Sequence, residues 1–317
     1  MALNLVKTVV DFLETRPEEK FTAREIAHWI FENYPEECQA KKDNSKATVN
    51  PLDTDSAVIQ QISAEIGASR PRLTKTSSGI KTTEGRPRRY YFTRNTDTEE
   101  LKQAEDGGPA MKASTETRSL TEHDLYPKLS KFLLSELNVY SARIDERRSR
   151  NTRGAGGNRW LYPDIVGMED LSADWDREIK DCVRQYADKK TKLWSFEVKL
   201  LVNRSNVREV FFQAVSNSSW ANFGYLVASE ISGYDTLKEL RMLSSLHGIG
   251  FIKLDAEDII ESQIIIPARE RGEVDWDAAN RLTQENRDFR DYVVRVRQFY
   301  QTGEMRPRDW DAFEEET

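Results

Sequence analysis

The stretch Trp194-Ser195-Phe196-Glu197-Val198-Lys199-Leu200 decides how the second half of the chain is read. A strand turns alternate side chains to opposite faces, so Trp194, Phe196, Val198 and Leu200 share one face while Ser195, Glu197 and Lys199 share the other. Four large apolar groups on one face mark a central strand, whose second face would ordinarily be apolar as well. Two charges there are costly unless they pair, hydrogen-bond or bind a metal. The spacing alone means little. An acid followed two positions later by lysine occurs five times, at Glu18/Lys20, Glu100/Lys102, Glu178/Lys180, Asp188/Lys190 and Glu197/Lys199. Only the last sits in an apolar strand.

Around this strand, Lys192–Val202, strand and helix patterns alternate. A helix over Leu125–Leu137, a strand over Asn138–Ile144 and an Arg/Gly loop lead into Trp160–Met168, which contains Tyr-Pro-Asp164-Ile-Val. A charged, helical insert (169–191) precedes the central strand. After it come a helix (Val207–Trp220), a strand (Gly224–Ser229), a helix (Thr236–Leu246), a strand (Gly250–Leu254) and a last helix (Asp277–Tyr300). Strands separated by helices imply an α/β core, a mixed central sheet flanked by helices.

The first hundred residues read differently. A helix with Leu3, Val6, Val10 and Leu13 stops near Arg16-Pro17, and Phe21-Thr22 caps a second with Ile26, Trp29 and Ile30. Asp53–Ser56 cap a third, with Val58, Ile59, Ile62 and Ile66 on its buried face and Gly67 as its stop. Arg72–Thr76, a Ser-Ser-Gly turn and Arg88–Thr93 then read as a hairpin with a basic tip. Three helices and a hairpin give the order of a winged helix-turn-helix. The expected organisation is a winged helix over 1–94, a flexible acidic linker over 95–118, a catalytic domain over 119–302 and an acidic tail over 303–317.

The 317 residues carry 47 Lys+Arg against 54 Asp+Glu, a net charge of −7, and a mean hydropathy of −0.70. The longest uncharged stretch, Val210–Ser229, is broken by Gln213, Asn217 and Asn222, short of the ~20 apolar residues of a spanning helix. No membrane association is expected. Two distant cysteines, Cys38 and Cys182, exclude a disulfide framework and suit a cytoplasmic location. The positive charge is local. Residues 66–95 hold eight basic side chains against Glu84, and residues 143–160 hold six arginines against Asp145 and Glu146. Such patches set the field a phosphate backbone meets. The candidate DNA contacts are Arg70, Arg72, Lys75, Lys81, Arg86, Arg88 and Arg89, then Arg147, Arg148, Arg150, Arg153 and Arg159 in the loop before Asp164.

No Gly-rich phosphate loop appears, so no nucleotide cofactor is expected, and His28, His123 and His247 are too scattered for a histidine site. What remains is carboxylate chemistry. Asp164 and Glu197 would hold Mg²⁺ through hard oxygens, with Lys199 serving an attacking water. A satisfied ion pair of Glu197 with Lys199, and Asp164 capping a turn after Pro163, is the bland alternative.

Asp164…Glu197-Val198-Lys199, followed by a helix bearing Gln213 and the strand Gly-Tyr-Leu-Val-Ala-Ser, resembles the PD-(D/E)xK nuclease superfamily and its Mrr-like restriction endonucleases. The resemblance covers roughly residues 120–255. It implies a restriction-endonuclease-like fold, metal held by Asp164, Glu197 and the Val198 carbonyl, Lys199 as catalytic lysine and Gln213 as supporting glutamine. Glu122 matches an acidic position that some relatives use near the metal, and also suits a helix N-terminus. The gap filled by 169–191 is long for the family. Phe-Thr-Ala-Arg-Glu-Ile and Arg-Arg-Tyr-Tyr-Phe make residues 1–94 similar to a HARE-HTH winged helix. Together these imply a Mg²⁺-dependent (Mn²⁺ substituting) endonuclease acting on double-stranded DNA. The implied role is restriction, with modified DNA among its candidate substrates. Cutting both strands implies a homodimer, for which the last helix, with Tyr292, Phe299 and Tyr300, offers an interface. A non-catalytic winged-helix regulator, an interaction scaffold and a repair or recombination nuclease are the alternatives.

Overall fold

The computed structural model describes residues 3–43, 52, 54–106, 120–150, 160–185 and 190–311. The chain divides into two compact units, one spanning residues 1–100 with the segment 232–234, the other comprising the remaining described residues.

In the first unit, helices α1 (Leu5–Glu14), α2 (Ala23–Asn33), α3 (Pro35–Asp43) and α4 (Asp55–Thr76) surround a three-stranded antiparallel sheet. Its strands are β1 (Phe21–Thr22), β2 (Ile80–Thr82) and β3 (Arg89–Phe92), in the order β1-β3-β2. Phe12, Leu13, Ile26, Ile30, Ile62, Ile66 and Tyr90 form one core. Thr22 caps α2 reciprocally with Glu25, as the sequence predicts of Phe21-Thr22. The third expected helix does not stop at Gly67. It runs through Gly67 and Pro71 to Thr76 because Leu73 extends the stripe of Val58, Ile62 and Ile66 and is fully buried. An internal proline costs about 3 kcal/mol, so tertiary burial overrides the local stop. The hairpin accordingly starts at Ile80, and Arg72 and Lys75 lie on a helix instead of a strand.

The expected linker begins as helix α5 (Asp97–Glu105). Its first turn is anchored: the Lys81 ammonium bonds Asp97 at 2.7 Å and also bonds Glu100, which accepts from the Tyr91 hydroxyl at 3.1 Å. Residues 107–119 lie outside the described residues.

The second unit carries a six-stranded sheet in the order β4-β5-β6-β7-β8-β9. The strands are β4 (Val139–Arg143), β5 (Ile165–Asp170), β6 (Thr191–Val202), β7 (Phe223–Ile231), β8 (Gly250–Lys253) and β9 (Gln263–Ile266). β6, β7 and β8 run parallel and the remaining pairs antiparallel. The sheet is therefore mixed, as expected. β9, built on Ile264–Ile266, is an added edge that the sequence reading stopped short of. On one face, α6 (Glu122–Leu137) packs Leu125, Leu129 and Leu133 against Ile165, Trp194, Phe196, Val198 and Val227. The other face carries α8 (Val207–Asn217) and α9 (Tyr234–His247) over Leu226 and Phe251. Beside them, α10 (Trp276–Glu285) and α11 (Arg287–Thr302) cover Val166, Met168 and Leu193. The short helix α7 (Arg177–Gln185) sits in the insert between β5 and β6.

The expected single last helix is two, because Asn286 is extended and its side chain accepts from the Phe289 N–H at 3.0 Å, capping α11. The apolar stripe stays in phase across the break, which is why it reads as continuous. Phe289, Tyr292, Val296 and Phe299 are buried in this unit's own core, so Tyr292 and Phe299, offered above as part of a dimer interface, are internal, while Tyr300 is exposed.

Lys81→Ala should free the first turn of α5 and leave Glu100 without its cation, at a cost of about 1–3 kcal/mol for a lost charge-assisted bond. Hydrogen exchange should then quicken over Asp97–Glu105. Exchange unchanged there would mean that the anchor is idle.

Candidate active site

Asp164 sits where β5 stops pairing with its neighbour. The last rungs are Ile165 opposite Phe196 and the Asp164 N–H to the Phe196 carbonyl at 3.1 Å. β6 continues to Val202, so from Val198 onward its edge would be bare. The Asp164 carboxylate takes over, accepting the Val198 N–H at 2.7 Å on Oδ2 and the Tyr126 hydroxyl at 3.2 Å on Oδ1. A strand residue turns its N–H and C=O to the same edge, so the Val198 carbonyl faces the same opening. Pro163, which has no N–H, precedes the aspartate and leaves no backbone donor to compete.

Glu197 lies on the opposite face of β6 from Phe196 and Val198, as the alternation predicts. Its side chain is 1% exposed. The Lys199 ammonium reaches Oε1 at 2.6 Å, and the Asn217 amide, at the end of α8, donates to Oε2. Asn217 is held in turn: its carbonyl accepts from the Ser195 hydroxyl at 3.2 Å and the Trp220 indole at 3.0 Å, and its Nδ2 also reaches the Tyr162 carbonyl at 3.4 Å. The Asn217 Oδ1 is buried with no hydrogen-bond donor beside it. A buried acceptor of this kind calls for water or another donor.

The electrostatics follow from this packing. Burial, and then the neighbouring charge of Asp164, push the Glu197 carboxyl up to about 8. Burial likewise raises Asp164, against the pull of Lys199 and the Val198 N–H. Lys199 loses solvation too, but Glu197, Asp164 and Glu122 outweigh that and raise its pKa. It stays a cation. Burial also raises Glu122, whose carboxylate lies 4.0 Å from the Lys199 ammonium and beside the Leu200 backbone.

The sequence-predicted set therefore converges in part. Asp164, Glu197, Lys199 and the Val198 backbone meet, with Glu122 at the rim. Among the described residues no three His, Cys, Asp or Glu side chains gather closely enough to hold a metal. Glu122 thus does not complete a three-carboxylate shell with Asp164 and Glu197. Gln213 makes no hydrogen bond to these groups. It lies one turn before Asn217 on the same face of α8, and it is Asn217 that donates to Glu197. Asn217 and Tyr126 were missed. The faint signal for both was an uncharged polar group on a helix packed against the charged strand.

The donor set suits a hard divalent cation. Each carboxylate oxygen of Asp164 and Glu197 has one hydrogen-bond donor and so retains a second lone-pair site. Two desolvated carboxylates with a single ammonium between them are short of positive charge. Mg²⁺ is bound through one or two carboxylates and keeps several waters, which the orphaned Asn217 Oδ1 would accept from.

Several predicted DNA contacts are committed within their own units. Arg70 at 3.1 Å and Arg88 at 2.9 Å both bond Glu84, which is buried (1% exposed), and Lys81 holds α5. Arg148 pairs with Asp288. Arg72, Lys75, Arg86, Arg147 and Arg150 are exposed and Arg89 is half-buried. Arg153 and Arg159 lie outside the described residues. Comparison of the chain with family models, with curated proteins and with solved structures returns no match.

Unfolded, Glu197 ionises near 4.3; folded, it holds its proton up to about 8. The folded state binds more protons between those values, so with chelator present stability should fall as pH rises through that window and level off above it. Glu197→Gln should flatten the fall. Melting temperatures from pH ~5 to ~8 test this; a wild-type curve that instead rises across the window, with the variant identical, would contradict it.

Proposed function

We propose that the second unit is a Mg²⁺-dependent nuclease of the PD-(D/E)xK kind that hydrolyses DNA phosphodiesters. The observation that carries this reading is the pair of desolvated carboxylates, Asp164 and Glu197, at the open edge of β6 with the Lys199 ammonium 2.6 Å from Glu197. Bound Mg²⁺ would polarise the phosphoryl oxygens and acidify a water. Asp164, Glu197 and the Val198 carbonyl would hold it. Because Lys199 remains protonated, it donates: its Nζ orients the attacking water and offsets charge gathering on the phosphoryl oxygens. Water forms the new P–O bond as the ester P–O bond breaks, and the proton leaves through solvent. Asn217 and Tyr126 fix the two carboxylates and exclude alternative rotamers.

The first unit, on this reading, is a winged-helix DNA-binding module, in which exposed Arg72 and Lys75 remain for phosphate contact. A restriction-type role on double-stranded DNA, with two copies cutting two strands, follows from the resemblance. Cytoplasmic DNA is the substrate it fits. No described helix is long and apolar enough to cross a membrane.

The test separates catalysis from support of the fold. Lys199→Ala should keep divalent-cation binding and lose cleavage ~100-fold or more, the usual loss when one preorganised donor to the transition state is removed. Asp164→Asn and Glu197→Gln should lose both. If Glu197 and Lys199 are only an ion pair, Lys199→Ala should instead destabilise the fold by about 3–5 kcal/mol. Such melting, with no Mg²⁺-dependent cleavage of plasmid by the wild type, would end the nuclease reading.

A further inference from the structure

Outside this centre, a cleft of about 400 Å³ opens in the second unit between the segment after β4 and the α10–α11 junction. Its walls carry Arg148, Arg150, Arg287 and Arg290, together with the carboxylates of Glu285 and Asp291. The walls are laced by the buried Asn286, which donates to the Asp145 carbonyl at 2.9 Å and the Ser149 hydroxyl at 3.0 Å. The Arg150 N–H bonds the Glu285 carbonyl at 2.9 Å, fixing where that side chain departs. Asp288 engages Arg148, and the Arg290 Nε donates to the Thr283 carbonyl at 3.1 Å, which leaves its terminal nitrogens uncommitted. Arg150 and Arg287 are exposed and have no side-chain partner among the described residues.

We propose that this cleft is a phosphodiester-binding site that grips the nucleic-acid backbone next to the carboxylate centre. The planar guanidinium fork matches a phosphate bidentately, and with Arg148 paired to Asp288 the three remaining forks still exceed the two lining carboxylates. Its position fits. The Ile144 N–H bonds the Asp164 carbonyl at 2.9 Å, so the chain from Ile144 to Arg150 keeps the cleft within about 20 Å of Asp164. That is about six nucleotide steps at ~3.4 Å each. A strand of that length would reach from one to the other. The role beside a scissile bond rests on the nuclease reading; the binding chemistry does not.

The test uses the full chain with chelator present and a short fluorescent duplex, titrated over a salt series. Arg287→Ala/Arg290→Ala should weaken binding ~10-fold and flatten the log K against log salt slope by nearly two, since each lost phosphate contact contributes about 0.9. The exposed Arg241→Ala on α9 should change neither. Arg150→Ala, which lies outside the helices and keeps its backbone bond to Glu285, should give half the slope change, and stands in if the double variant melts early. Affinity and slope equal to wild type in both would overturn the proposal. So would displacement of the duplex by millimolar inorganic phosphate, which would mark a small-anion pocket. Cleavage read in parallel tells the two readings apart. A wild type that cleaves, with cleft variants that bind and cleave normally, removes the cleft and keeps the nuclease. A wild type that never cleaves, with binding lost in the variants, keeps the cleft and removes the nuclease.

Discussion

The contact on which the second unit turns is the Lys199–Glu197 pair inside the sheet. A glutamate at 1% exposure on a central strand costs several kcal/mol of desolvation before any partner is found. A single ammonium at 2.6 Å and an asparagine amide offset part of it. Burial, and then the second desolvated carboxylate of Asp164 at the adjacent strand end, push Glu197 up to about 8. Replacing such a pair with apolar residues of similar volume would often leave a protein as stable or more so. The arrangement is therefore poor as a stabilising device and well suited to receiving a cation.

The surrounding fold serves this contact. β5 ends at Ile165, one rung short, which leaves the Val198 edge to the Asp164 carboxylate. Gly224, beside Ser195 on β7, has no room for a Cβ, which would come 2.3 Å from the Ser218 hydroxyl. That close approach seats the end of α8 on the sheet, and with it Asn217. α6 brings Tyr126 to Asp164 from the opposite face.

Most of this was legible in the sequence where periodicity carried it. The alternation of residues 194–200 placed Glu197 and Lys199 on the face away from Phe196 and Val198, and the mixed sheet followed from the strand and helix order. The sequence was silent where burial outweighed a local signal. Gly67 reads as a stop, yet Leu73 keeps α4 going through Pro71 to Thr76. Asn286 splits a helix whose apolar stripe stays in phase. A charge count does not show pairing for a related reason. Eight cations against one acid over residues 66–95 mark a basic patch without saying which of its members are paired. Glu84 and the acids of α5, which draw in Arg70, Arg88 and Lys81, act across the fold and not along the chain. Asn217 and Tyr126 carry no charge and no motif, so only three-dimensional contact reveals them.

On the proposed function, Asp164 and Glu197 together receive a divalent cation. Calorimetric titration of Mg²⁺ and Mn²⁺ near neutral pH, in buffers of different ionisation enthalpy, tests it most directly because it counts protons as well as heat. A metal displacing the proton that Glu197 holds up to about 8 must release it. The account predicts saturable binding with release approaching one proton in the wild type, and none in Glu197→Gln. Absence of binding, or binding unchanged in Asp164→Asn and Glu197→Gln with no proton released, would contradict it.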